Sequence, residues 1–224
     1  MKPMITFANL TAVECGVVYY HVRNNAATHL RVARLLEKHE EYANAIAHLI
    51  LGSEEFIKAV VLLLESKGFS LRAMKKYNKL FYNHSARHII ISDFYSIWMA
   101  VRTLFDIPSK KQGESSPSHW MNVFSGVAKG FLESLDNHSW WKAADDHKQH
   151  CFYVDYENKV LLPSVFSKQH YLEAKKHVDR FLFDLRTIVV VLLRADEQQL
   201  NEYKRILWSD DIPDILNQAI PKWL

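Results

Sequence analysis

Residues 43–64 read ANAIAHLILGSEEFIKAVVLLL, and the fold turns on this stretch. Its few polar members are Asn44, His48, Ser53, Glu54, Glu55 and Lys58. At about 100° per residue, Asn44, His48 and Glu55 fall within one narrow arc, Glu54 and Lys58 flank that arc, and Ser53 lies opposite. A helix from about Glu41 to Ser66, stopped by Gly68, therefore carries a thin polar strip on a wide apolar body. Such a helix must touch neighbours on most of its sides. Charges beside a core are costly unless they are paired or used. On spacing alone the strip reads as a solvated face with a Glu54–Lys58 ion pair one turn apart.

Upstream, Leu10, Val13, Val17, Tyr20, Leu30, Ala33 and Leu36 repeat with helical period between Leu10 and His39, as one helix or as two that meet near Asn24 and Asn25. Downstream, helices are expected over Ser70–Tyr82 and Asn83–Phe105. The second of these sets His84, His88, Tyr95 and Arg102 on one face, with Arg87 beside them. Imidazoles, a phenol and guanidinium groups together can bind phosphate and move protons near neutral pH, although a solvated face fits the same spacing. The segment Ile107–Ser118, IPSKKQGESSPS, is a loop by composition. Trp120–Leu135 and Ser139–Lys148 read as shorter helices. Residues 151–163, CFYVDYENKVLLP, are strand-like around a Glu-Asn-Lys turn and fit a small hairpin or an extended arm. A long helix over Ser167–Ala195 uses Leu172, Val178, Phe181, Leu185, Ile188 and Leu192 as its apolar stripe, and its Lys168, Lys175, Lys176, Arg180 and Arg186 read as a solvated basic face. Two short helices, parted near Ser209–Pro213, close the chain.

Composition agrees with an all-α fold: six glycines and six prolines in 224 residues leave few turns. The net charge of +3 permits contact with nucleic acid without demanding it. Two cysteines make neither a disulfide framework nor a four-cysteine zinc site, which fits a reducing cytoplasm. The start of the chain has no apolar run of signal-peptide length, and Ile188–Leu193 is too short to span a bilayer, so no membrane segment is expected. His84 and His88 have metal-ligand spacing, and Asp145, Asp146, His147 and His150 cluster, but no third ligand is fixed by spacing; no metal or cofactor site is assigned. The whole chain, residues 1–224, reads as one helical domain: a core over about 8–106, the loop at 107–118 and a helical part over about 119–224.

Three blocks carry a family resemblance. The first is Glu41-Tyr-Ala-Asn-Ala45 followed by Leu51-Gly-Ser-Glu54-Glu55-Phe-Ile-Lys58-Ala59. The second is Phe81-Tyr-Asn-His84-Ser-Ala-Arg87-His88, and the third is Lys148-Gln-His-Cys-Phe-Tyr153-Val154-Asp155 with Pro163. In this order they resemble the AbiV-type abortive infection proteins, bacterial antiphage proteins of the HEPN superfamily of helical bundles, over about residues 25–185. Arg87 stands where that family commonly has Lys, and His150 where a basic residue is expected before Tyr-Val-Asp.

The resemblance implies two roles. One is an effector that shuts down translation or RNA metabolism in an infected cell, bound to or activated by a phage or host protein. The alternative is a metal-independent ribonuclease in which a ribose 2′-hydroxyl attacks the adjacent phosphate, a reaction that needs a proton acceptor, a proton donor and positive charge. In that alternative His84 is the acid or base, Arg87 and Lys58 bind phosphate, and Glu55 or Glu54 orients them. His48, His88, Tyr95, Arg102, Lys148, Tyr153 and Asp155 are the accompanying binding positions. HEPN ribonucleases typically separate Arg and His by about four to six residues; before His84 only Lys79 stands at such spacing, and Arg23 with His29 matches it in the first helix, where the motif is not expected. The resemblance also implies a homodimer, with RNA or the ribosome as a partner; Tyr153–Asp155, for which spacing supplies no catalytic logic, is expected to be an arm that closes over the polar strip or meets a second subunit.

Overall fold

A computed structural model of the chain describes residues 6–73, 79–82, 139–157 and 159–207. These residues are mainly helical, with one two-stranded antiparallel sheet, as an all-α fold requires.

Helix α1, Ala12–Lys38, begins at a reciprocal cap. The Glu14 backbone N–H donates to Thr11 Oγ1 at 3.2 Å, and the Thr11 N–H donates to the Glu14 carboxylate at 2.7 Å. The helix runs unbroken through Asn24 and Asn25, because both amides lie on its exposed side while Val22 and Ala26 hold the buried side. Helix α2, Tyr42–Ser66, returns antiparallel along α1. The two backbones approach closely at Gly52, where an added Cβ would stand 2.9 Å from Leu30 Cγ and 3.3 Å from the Ala26 carbonyl oxygen. Gly68 ends α2 with φ +79, a left-handed turn that glycine adopts without strain.

After α2 the expected helix over Ser70–Tyr82 is described only at its two ends, and residues 74–78 lie outside the described residues. Ser70 takes φ +53, Leu71–Ala73 form a 3-10 turn, Lys79 is helical, and Tyr82 closes a turn on the Lys79 carbonyl at 3.1 Å. Arg72 binds this corner to the N-terminal segment. Its guanidinium donates to the Phe7 and Leu10 carbonyls at 2.7 Å each, and its Nε lies 3.0 Å from Glu65 Oε2. The expected helix over Asn83–Phe105, the loop Ile107–Ser118, the helix over Trp120–Leu135 and the chain beyond Ser209 lie outside the described residues.

Helix α3 covers 139–152, so Cys151 and Phe152 finish a helix instead of opening a strand. The hairpin that follows is correspondingly short: β1, Asp155–Glu157, pairs antiparallel with β2, Lys159–Leu161, with Tyr156 opposite Val160. A 3-10 turn, Pro163–Val165, leads into α4, Lys168–Arg194, which packs against α2. Tyr171, Ala174, Val178, Phe181, Leu185 and Leu192 form the buried stripe of α4. Leu172, expected on that stripe, is exposed, since Tyr171 one residue earlier holds the core-facing position. Trp141 of α3 is fully buried, with its ring 4.9 Å from that of Phe181. Helix α5, Glu197–Leu207, returns towards the end of α2 and sets Lys204 Nζ 5.7 Å from the centre of the Phe69 ring.

Candidate functional site

The polar strip of α2 is not a solvated face. Glu54 is 0% exposed, and its Oε1 accepts a hydrogen bond from Lys148 Nζ of α3 at 2.6 Å. Lys148 is itself 4% exposed and also lies 2.8 Å from Asp145 Oδ1, one turn back on α3. Both charges are thus removed from water, a state that is tolerated only when opposite charge stands at hydrogen-bond distance. Lys58 does not pair with Glu54 as spacing suggested. It pairs with Glu55, three residues away, and the other Glu55 oxygen accepts from Asn25 Nδ2 of α1 at 3.2 Å. The reason is geometric: Glu54 is turned towards α3, whereas Glu55 is turned towards α1. Ser53, alone on the opposite side, is buried and donates to the Leu49 carbonyl at 3.0 Å.

Two turns before Glu55, His48 meets His29 of α1, Nδ1 to Nδ1, at 3.0 Å. The Phe152 ring at the end of α3 stands edge-on to His48, with centroids 6.1 Å apart. Burial, and next the adjacent His29, hold His48 below the usual imidazole range. Arg23, which shares the Arg–His spacing with His29, is exposed on α1.

Of the expected site residues, the structure therefore brings Glu54, Glu55, Lys58, His48 and Lys148 to the two seams that α2 makes with α1 and α3. Tyr153 and Asp155 stand apart from them. Tyr153 follows the end of α3 with its ring against Phe152, and Asp155 Oδ1 accepts from the Tyr156 N–H at 2.7 Å; both residues are exposed. His84, Arg87, His88, Tyr95 and Arg102 lie outside the described residues. Sequence reasoning missed Asn25 and His29 as partners of the strip, and Asp145 as the second carboxylate on Lys148. Asn25 and Glu55 are 30 residues apart and His29 and His48 are 19 apart, separations that carry no periodic signal; only the family block around Lys148 pointed across the chain.

The hairpin presents a second feature. Strand alternation puts Tyr156 and Val160 on one face, and the same register continued by one position adds Val154 and Leu162. All four are exposed, Tyr156 at 71% and Val160 at 56%. The hairpin thus turns an apolar face to solvent.

Among the described residues, no group of three or more His, Cys, Asp or Glu side chains stands together to hold a metal ion. No helix among them is long and apolar enough to cross a membrane. No curated protein and no solved structure matches the chain. A family model does: the AbiV model of the HEPN group spans residues 14–182, from the first turn of α1 to the middle of α4. It takes in the Glu54–Lys148 pair, the histidine contact and the hairpin alike, and on that match the chain belongs to the AbiV family of HEPN proteins.

Proposed function

We propose that this protein is an abortive-infection effector of the bacterial cytoplasm that stops translation or RNA metabolism by binding, through the outward apolar face of its hairpin, to a protein of the phage or of the host. The observation that carries the reading is the contrast between the two features of the third family block. Lys148 is buried against Glu54 and holds the bundle together, while Tyr156 and Val160, eight and twelve residues further on, offer apolar surface to solvent. A group that is buried and neutralised cannot also reach a phosphate. This favours a structural role for Glu54 and Lys148 over a place in a cutting site. A homodimer, with RNA or the ribosome as a further partner, completes the proposal.

The test is incubation of the purified chain with total bacterial RNA, with and without chelator, and with and without lysate of infected cells. The binding reading expects intact RNA together with retention of a lysate protein that the hairpin variant Tyr156→Ser, Val160→Ser no longer retains. Chelator-resistant cleavage that disappears in His84→Ala overturns it in favour of the ribonuclease.

A further inference from the structure

The α1–α2 seam holds a contact that the proposed binding role leaves unused. His29 and His48 approach through their Nδ1 atoms at 3.0 Å, a hydrogen-bond distance. Two imidazole nitrogens so placed share one proton: one ring donates through Nδ1–H and the other accepts with a bare Nδ1. The accepting ring keeps its own proton on Nε2, so the neutral pair retains the bond. A pair with one added proton also retains it, because that proton goes to the outer nitrogen of the donating ring. A doubly protonated pair cannot, since both Nδ1 atoms then carry hydrogens directed at each other and both rings are positive.

The neighbouring groups do not absorb a second charge. Along α2 the strip carboxylate is Glu55, two turns away and engaged by Lys58 and Asn25. Along α1, Arg31 adds positive charge and hydrogen-bonds Thr28 at 3.4 Å. From α3 the group against His48 is the uncharged Phe152 ring, and Lys148 one turn earlier is bound to Glu54 and Asp145. Half-buried as it is, His48 sits below the usual imidazole range, first through burial and then through His29.

We propose that the His29–His48 pair is an acid-release latch on the α1–α2 seam, in which a second proton breaks the shared hydrogen bond and frees the end of α3, with the hairpin it carries, from its seat on α2. The sign follows from linkage. A folded-state value below that of the unfolded chain means that the unfolded chain binds more protons in between, so the latch stabilises the fold fully above the ordinary histidine range. That stabilisation is lost as pH falls through the lowered folded value. The proposal goes beyond the binding reading and stands whether or not the hairpin is the partner surface.

The test is hydrogen exchange of the full chain between pH 7.5 and pH 5.5, corrected for intrinsic exchange, read on peptides covering 149–157. In the wild type we expect protection there to fall by more than about threefold, in the direction that linkage sets. In His29→Asn, whose amide can still donate to His48 but never gains charge, the fall should be less than about threefold on the same scale. Equal loss in both proteins, or no loss in the wild type, overturns the latch. Should His29→Asn fail to fold, nitrogen-detected NMR of the wild-type imidazoles decides. Two separated titration steps for this pair, one below the ordinary range, support the latch, and independent titration of both rings at the ordinary value overturns it.

Discussion

Lys148 sets its ammonium nitrogen 2.6 Å from Glu54 Oε1 and so joins α3 to a carboxylate with no exposure to solvent. Removal of either partner takes a counter-charge from a buried group, but Lys148 keeps Asp145 when Glu54 is lost. Lys148→Ala should lower the unfolding free energy by about 3–5 kcal/mol, Glu54→Ala by less, and the double variant should cost clearly less than their sum. Denaturant unfolding of the four proteins measures this. Additive losses would mean that the two residues do not act as a pair.

Gly52 tests the close contact of α1 and α2. A side chain there meets Leu30 at 2.9 Å and the Ala26 carbonyl at 3.3 Å. Leu30 can shift, but the carbonyl belongs to a helix backbone and can give only with α1 itself. Gly52→Val should therefore lose about 1–3 kcal/mol in spite of valine's better helix propensity. The midpoint of thermal or denaturant unfolding reads the change.

Cys151 is 1% exposed, and burial pushes its thiol up to about 12. The thiolate is the nucleophile, so the folded protein should resist alkylation at Cys151 at neutral pH and react only as fast as it opens. Mass spectrometry after timed iodoacetamide treatment, in buffer and in denaturant, distinguishes the two rates. Rapid labelling in buffer would show that α3 is not seated as described.

Much of the fold was legible in residues 43–64. A helix so apolar, with one thin polar strip, had to be the central member, and it is the one packed by both α1 and α4. The long α4 was equally plain from its periodicity, whereas the branched and aromatic residues around Asn158 fitted a hairpin and an extended arm alike. The cap that starts α1 escaped a reading by apolar period, because Thr11 and Glu14 are both polar. What periodicity could not give was the partner of each charge. Spacing of four residues made Glu54 and Lys58 a natural pair, but a helix places neighbouring residues about 100° apart, which is enough to turn Glu54 to α3 and Glu55 to α1. Choosing between those neighbours depends on packing between segments 94 residues apart. The 3-10 turn after Ser70 was hidden for a different reason. A left-handed φ at a serine has no strong sequence mark, so the tighter winding of Leu71–Ala73 reads as ordinary helix.

The hairpin face gives a prediction with opposite effects on stability and activity. Tyr156 and Val160 are exposed, so Tyr156→Ser with Val160→Ser should change the unfolding free energy by no more than about 0.5 kcal/mol per site. An unfolding curve that moves substantially would place these side chains in contacts that their exposure denies.

Phage challenge of cells that make this double variant tests the central claim most directly, with the amount of folded protein matched to wild type and protein synthesis followed by amino-acid incorporation after infection. The binding account predicts that synthesis stops in wild-type cells and continues in variant cells, with loss of phage protection. Full protection and a full stop in synthesis in the variant would contradict it.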